Sequence, residues 1–246
     1  MQRLSITVPG GSPGTGKHTP ADPEHATLDQ TCYSEATLAS SRVVHDVADL
    51  IAIFEPHVNV QVLRRPLSDG LADDARKAVC EQRFRERAMI RPDTCGRSEL
   101  RSLLPGFPHL ADDAYFWTDV LAELTGCEFV GVRLERLDKA MCPRFHVDKV
   151  TLRIVRTFGG PGTEYLVNAD VDRRWLGAAA HGLADEESGL LRSPGCVRAA
   201  ATGDVVLLKG EAWPDNADRG AVHRSPHASP SAPRLVMTLD SIDWAT

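Results

Sequence analysis

The sequence has 246 residues, 42% of them hydrophobic, and a formal net charge of −6 from 28 basic and 34 acidic side chains. Because nucleic-acid-binding proteins usually carry a basic surface, this mild acidity argues against a nucleic-acid partner. No run of about 18 apolar residues occurs, which excludes a membrane-spanning helix, and the first residues lack the apolar stretch of a secretory signal. We therefore expect a cytoplasmic protein, whose oligomeric state the composition leaves open.

Residues 1–30 are rich in Gly, Pro, Thr, Asp and His and show little apolar periodicity, which predicts a flexible N-terminal arm. Within it, residues 11–17 match the phosphate-binding pattern G-x-x-x-x-G-K. That pattern requires Ser or Thr at the next position, whereas His18 follows here and no amphipathic helix comes after it. We therefore do not interpret the segment as a nucleotide site, and we assign residues 31–246 to a single domain.

Between this arm and residue 126, apolar residues recur mainly at helical spacing. A helix is predicted over residues 41–54, capped by Ser41, because its apolar positions share one helical face. A short strand at 58–63 precedes helices at 71–87, 98–104 and 112–125, and Pro105 and Gly126 end the last two. Residues 31–126 are therefore predicted to be mainly helical.

After Gly126 the apolar residues alternate with polar ones, which is the period of a strand. Strands are predicted at 130–135, 151–158, 205–209 and 234–240, with Gly-rich or Pro-rich turns between them. Helices followed by a series of short strands are typical of an α+β protein. We therefore expect a β core over residues 127–246, against which the helical N-terminal half packs.

Two histidines and one carboxylate form the strongest chemical pattern. His146 and Asp148 are two residues apart, so on a strand their side chains point to the same face and can reach one metal ion. His223 lies 77 positions later, and Arg234 follows it by a further 11. Neutral imidazole and carboxylate groups suit ferrous iron, and an arginine can bind a carboxylate through two parallel hydrogen bonds. We therefore predict a metal site formed by His146, Asp148 and His223.

This order of residues resembles the Fe(II)/2-oxoglutarate-dependent oxygenases. The resemblance implies a double-stranded β-helix of jelly-roll or cupin-like type, a small-molecule substrate, and Fe(II) and 2-oxoglutarate as cofactors. It also implies that Arg234 binds the distal carboxylate of 2-oxoglutarate. Arg224 and Arg153 are further candidates for contacts with the cofactor, and no catalytic residue is predicted beyond the metal ligands.

Four segments also resemble the bacterial family called domain of unknown function 1826. They are residues 142–148 (CPRFHVD), 160–166 (GPGTEYL), 208–211 (LKGE) and 223–226 (HRSP). These segments contain His146, Asp148 and His223, so the resemblance supports a site at the residues chosen from their chemistry. It implies no particular reaction, although an association of the family with zinc-responsive genes would favour zinc and a role in metal handling.

Two alternatives to an oxygenase therefore stay open. In the first, the same three ligands hold zinc in a non-catalytic metal-binding or metal-homeostasis protein, for which Cys142 is the nearby soft ligand. In the second, a cupin-like pocket binds a small anion without a metal. Arg234 favours the oxygenase, because zinc storage needs no group that binds an anion.

Overall fold

The computed structural model describes residues 39–242. The predicted arm at 1–30 and the glycine-rich segment at 11–17 lie outside the described residues. None of the helices described between residues 39 and 242 has the length and apolar character needed to cross a membrane.

Thirteen regular elements follow one another along this part of the chain. The three α-helices are α1 (Asp69–Cys80), α2 (Thr94–Leu103) and α3 (Pro108–Thr125). The strands are β1 (Ser41–Val44), β2 (Val60–Leu63), β3 (Arg85–Ile90), β4 (Phe129–Leu137), β5 (Leu152–Gly159), β6 (Glu164–Leu166), β7 (Arg198–Ala199), β8 (Val205–Lys209), β9 (Val222–Arg224) and β10 (Arg234–Ile242). Short 3-10 segments occupy Val47–Phe54, Asn168–Asp170, Arg173–Trp175 and Gly177–Ala180.

The strands form a large sheet and a small one. The seven-stranded sheet has the order β1-β2-β8-β5-β10-β4-β3, and the three-stranded sheet has the order β7-β6-β9. Only the pairing of β1 with β2 is parallel among these described strands, and the other pairs are antiparallel. The protein is therefore a mixed α/β structure with one dominant sheet, as the α+β prediction required.

The two faces of the large sheet have different partners. On one face, alternate residues such as Leu207, Met237 and Leu239 join the buried cluster that includes Leu110 and Trp117 of α3. On the other face, residues such as Val155, Val206 and Val236 pack with Tyr165 of the small sheet and with Ala221. This alternation follows from the two-residue period of a strand, and it places the helices on one side and the small sheet on the other.

Two predictions for the first half of the chain are wrong. Residues 41–54 do not form one helix: β1 pairs with β2, and a 3-10 segment capped by Asp46 follows it. The helix predicted at 71–87 ends at Cys80, and β3 then pairs with β4, where Arg85 and Arg87 bind the buried Glu135. The predicted helical half therefore also contains three strands.

The other predicted elements are confirmed with shifted ends. β2, α2 and α3 occupy the segments predicted at 58–63, 98–104 and 112–125. Gly126 ends α3 in the left-handed conformation, with φ of 70°, and its N–H bonds the carbonyl of Ala122. The strands predicted after this glycine are β4, β5, β8 and β10.

Candidate metal centre

The two predicted histidine ligands are brought together by backbone pairing. His146 and His223 form an isolated antiparallel bridge in which each N–H donates to the carbonyl of the other residue at 3.0 Å. Their ring centroids are 4.5 Å apart. His223 lies in β9 of the small sheet, so this bridge fixes the segment that carries His146 to the edge of that sheet.

Asp148 completes the group. Its Oδ2 is 3.1 Å from Nε2 of His223, and its Oδ1 is 3.6 Å from Nε2 of His146. One ligand atom from each of the three residues lies within 4.8 Å of those of the other two. Because metal–ligand bonds are about 2 Å long, atoms this close can bind a single ion. The group found among the described residues contains no cysteine, so Cys142 is not part of it.

Backbone carbonyls fix the orientation of both imidazole rings. Nδ1 of His146 is 3.0 Å from the carbonyl oxygen of Arg144, and Nδ1 of His223 is 3.0 Å from that of Ala221. A proton on each Nδ1 donates to its carbonyl, so Nε2 is the ring nitrogen that can bind a metal after losing its own proton. In both rings Nε2 faces Asp148, so the three donor atoms point to a common space.

The carboxylate and the histidines also stabilise one another electrostatically. Burial alone raises the pKa of Asp148, but hydrogen bonds from His146 and His223 hold its pKa well below the usual range. The hydrogen bond with Asp148 raises the pKa of His146 against the opposing effect of burial. The carboxylate is therefore ionised near neutral pH, which is the form that binds a metal.

Arg153 lies beside the metal ligands rather than free in the pocket. Its Nη1 donates to Oδ2 of Asp148 at 2.6 Å, and its Nε donates to Oδ1 of Asp240 at 2.5 Å. Arg133 donates to the same Asp240 at 2.9 Å. These ion pairs orient Asp148, and a contact between Arg153 and a cofactor stays a prediction.

Arg234 is a buried cation that has no carboxylate partner among residues 39–242. Its side chain is 3% exposed, and Nη2 donates to the hydroxyls of Thr157 and Thr163 at 3.0 and 2.8 Å. Nη1 reaches Oγ of Ser225 at 3.4 Å, and Nε has no hydrogen-bond partner among residues 39–242. Burial lowers the pKa of Arg234 to about 10. Since a buried charge is costly when unpaired, this site is suited to an anion.

Arg224 has several acidic partners. Its Nε donates to Glu164 at 2.6 Å, and its Nη1 reaches Asp185 at 3.2 Å and Glu186 at 2.9 Å. The guanidinium also lies 4.3 Å from the ring centroid of Phe145. Arg224 therefore has carboxylate partners already, and its predicted contact with a cofactor also stays a prediction.

One pocket with a volume of about 40 Å³ joins these groups. Its lining includes His146 and His223 and the four arginines Arg133, Arg153, Arg224 and Arg234. Of these arginines, only Arg234 makes no salt bridge within the described part of the chain. His146, His223 and the unpaired cation therefore border the same space, and their binding of a metal and a cofactor stays a prediction.

Sequence reasoning did not identify a buried aspartate that supports the site. Asp185 accepts hydrogen bonds from Nε of Arg144 at 2.6 Å, from the N–H of Phe145 at 2.9 Å and from Arg224. It thereby ties the segment before His146 to the end of β9. Asp185 lies 40 residues from Phe145 within a Gly- and Ala-rich stretch, and no local pattern indicates its role.

The family model described as "Protein of unknown function (DUF1826)" matches residues 44–240. The chain belongs to the DUF1826 family. The match includes the three candidate metal ligands and Arg234 of this DUF1826 protein. No curated protein matches its sequence.

Solved structures similar to this DUF1826 protein include two dioxygenases for auxin oxidation and one chain with nickel and 2-oxoglutarate bound. A rice dioxygenase for auxin oxidation is 14% identical, with 81% of this chain and 78% of that chain covered and a TM-score of 0.45. The Arabidopsis thaliana dioxygenase for auxin oxidation 1, in complex with 2-oxoglutarate, is 11% identical, with 85% and 94% covered and a TM-score of 0.49. HygX from Streptomyces hygroscopicus, with nickel and 2-oxoglutarate bound, is 12% identical, with 79% and 86% covered and a TM-score of 0.44.

Proposed function

We propose that this DUF1826 protein is a metal-dependent oxygenase of the Fe(II)/2-oxoglutarate type that acts on a small-molecule substrate. The observation that carries the proposal is the unpaired, buried guanidinium of Arg234, which lines the same pocket as His146 and His223. A site that only stores a metal has no use for a buried cation, whereas a dicarboxylate cosubstrate needs one at its distal end. A cytoplasmic location stays a prediction from the sequence.

The fold supports the same proposal. We interpret the seven-stranded and three-stranded sheets as the two facing sheets of a double-stranded β-helix, because their inner faces share the buried cluster around Val155, Tyr165 and Val236. In this interpretation His223 comes from the small sheet, and Arg234 begins a strand of the large sheet. The metal and the cosubstrate would then lie between the two sheets.

The donor set matches ferrous iron. Two imidazole nitrogens and one carboxylate oxygen form the two-histidine, one-carboxylate set of non-haem iron oxygenases, which leaves other coordination positions open. His146, Asp148 and His223 would hold the metal. Ferrous iron with 2-oxoglutarate supplies the oxidising chemistry that such a site performs on a substrate. Zinc in a structural site usually has four protein ligands, and the described residues offer three here.

The chain's own groups would prepare the site for both ligands. Thr157 and Thr163 hold the guanidinium of Arg234 in one orientation, so it is organised before an anion arrives. Arg153 would orient the carboxylate of Asp148 by donating to Oδ2, the oxygen that also faces Nε2 of His223. The carbonyls of Arg144 and Ala221 accept hydrogen bonds from Nδ1 of the two rings, which would direct both Nε2 atoms at the metal position once the metal displaces the Nε2 protons.

Anaerobic reconstitution with Fe(II) and 2-oxoglutarate tests the proposal. We expect a visible charge-transfer band that disappears in His146→Ala and His223→Ala. His227→Ala is the matched control, because this neighbouring histidine is exposed and lies outside the ligand group. Tight zinc binding without any binding of 2-oxoglutarate would overturn the oxygenase in favour of a metal-homeostasis protein. Binding of 2-oxoglutarate that is unaffected by metal removal would instead favour the cupin-like anion-binding protein.

A further inference from the structure

A second cavity lies on the opposite side of the large sheet from the metal pocket. It has a volume of about 380 Å³ and is lined by Phe54, Leu124, Lys209 and Trp213, among others. Lys209 ends β8 on the face that also presents Val205 and Leu207 to the helices, whereas the metal pocket is bordered by the other face of the sheet. The size is within the range of small-molecule sites.

Lys209 is a buried cation that has no carboxylate partner in the described part of the chain. It is 1% exposed, and its Nζ donates to the carbonyl oxygen of Glu55 at 3.0 Å. The carboxylate of Glu55 is turned to Arg42 and His57 instead. An ammonium group has three donors, and within residues 39–242 no salt bridge neutralises this one. Such a charge favours an anion that enters the cavity.

Aromatic and basic groups surround this ammonium. Nζ of Lys209 is 4.8 Å from the ring centroid of Trp213, and the Trp213 ring lies 5.4 Å from that of Phe54 at an angle of 57°. Arg219 lines the same cavity and adds to its positive potential. Burial, together with the nearby charge of Arg219, lowers the pKa of Lys209 to about 8. Asp215, the acidic residue of the lining, is exposed. The cavity therefore combines a cationic end with apolar aromatic walls.

We propose that this cavity is a separate binding site for a small carboxylic acid with a planar apolar body. The carboxylate would accept hydrogen bonds from Lys209 and face Arg219, and the apolar body would pack against Trp213 and Phe54. This arrangement satisfies the buried charge and covers the aromatic surface at the same time. The proposal depends on neither the metal ligands nor Arg234, so it stands or falls independently of the oxygenase activity.

Phenylacetate and its uncharged amide, phenylacetamide, are suitable probes in titration calorimetry with the full-length protein. We expect saturable binding of phenylacetate, at least tenfold weaker binding of phenylacetamide, and a shift of the Trp213 indole N–H resonance on titration. Lys209→Met should weaken phenylacetate binding at least tenfold. Lys139→Met, which changes an exposed lysine, should leave it unchanged.

Two further variants keep the test decisive. Arg234→Met should retain phenylacetate binding, which separates this cavity from the metal pocket. Trp213→Leu should weaken binding even if Lys209→Met does not fold. The proposal is overturned if acid and amide bind equally, if Arg234→Met abolishes the titration, or if neither phenylacetate nor 3-phenylpropionate binds at concentrations up to about 10 mM.

Discussion

Replacing Arg234 by methionine tests the central electrostatic argument. Burial lowers the pKa of this guanidinium to about 10, which relative to an exposed arginine corresponds to a cost of about 3 kcal/mol for keeping the charge in the fold. Three hydroxyl groups satisfy part of its hydrogen-bonding capacity, and Nε is left without a partner in the described chain. A carboxylate bound at this position would recover most of that cost.

We therefore expect Arg234→Met to raise the dissociation constant for 2-oxoglutarate on the order of a hundredfold, since about 3 kcal/mol equals about two powers of ten. Arg234→Lys keeps the charge but loses the planar donor geometry, so we expect a loss of about tenfold. Metal affinity should stay within about twofold of wild type, because Arg234 contacts none of the three ligands. Without cosubstrate, the methionine variant should be no less stable than wild type, because it removes an unpaired buried charge.

Anaerobic titration calorimetry of the Fe(II)-loaded protein with 2-oxoglutarate measures the dissociation constant of the cosubstrate, and a separate metal titration measures the metal affinity. Thermal unfolding of the metal-free variants measures their stability. A methionine variant that binds 2-oxoglutarate like wild type would refute the assignment of Arg234. Equal losses of metal and cosubstrate binding, with a lower melting temperature, would show that Arg234 has a structural role instead.

Three further predictions concern the support of the site and the fold. Burial raises the pKa of Asp113 to about 6. As pH rises from about 4 to 7, the free energy of unfolding of wild type should therefore fall by about 3 kcal/mol relative to that of Asp113→Asn. Urea unfolding at a series of pH values measures this difference. An added Cβ at Gly210 would lie 1.8 Å from the carbonyl oxygen of Val150, so Gly210→Ala should cost about 1–3 kcal/mol and weaken metal binding. Asp185→Asn should weaken metal binding about tenfold in a metal titration. The control variant His227→Ala should leave the metal affinity unchanged.

The order of elements could be predicted from the sequence wherever local chemistry decides the structure. Gly126 ends α3 because this glycine, which follows the last helical residue, adopts a φ of 70°, and the alternation after it predicts β4 correctly. The structure of residues 41–54 could not be predicted from local chemistry, because Val43 and Val44 fit a helical face as well as a strand. Their pairing with β2 decides between the two, and that pairing is a contact between distant segments.

The proximity of two candidate metal ligands could be predicted, because His146 and Asp148 are only two residues apart. His223 lies 75 residues beyond Asp148, with β5 to β8 between them, so its place beside the pair depends on the fold. The carboxylate partners of the arginines could not be predicted from the sequence in the same way. Asp240 lies 87 residues from Arg153, and Glu164 lies 60 residues from Arg224, so only the folded chain shows which cations are already paired.

The pairing of these arginines has a thermodynamic consequence for the two proposed ligands. In the metal pocket, Asp148 and Asp240 pair with Arg133 and Arg153, and Arg224 pairs with Glu164, Asp185 and Glu186, so Arg234 is left without a salt bridge among the described residues. A divalent ion adds positive charge to the space beside Arg234, and the dianion 2-oxoglutarate is attracted to both, so each ligand should bind more tightly in the presence of the other. Because such coupling is reciprocal, the factor by which 2-oxoglutarate lowers the metal dissociation constant must equal the factor by which the metal lowers that of 2-oxoglutarate. Paired anaerobic titrations measure both factors, and in Arg234→Met both factors should fall together toward one. A metal affinity of the wild-type protein that does not change when 2-oxoglutarate is present would contradict a shared pocket.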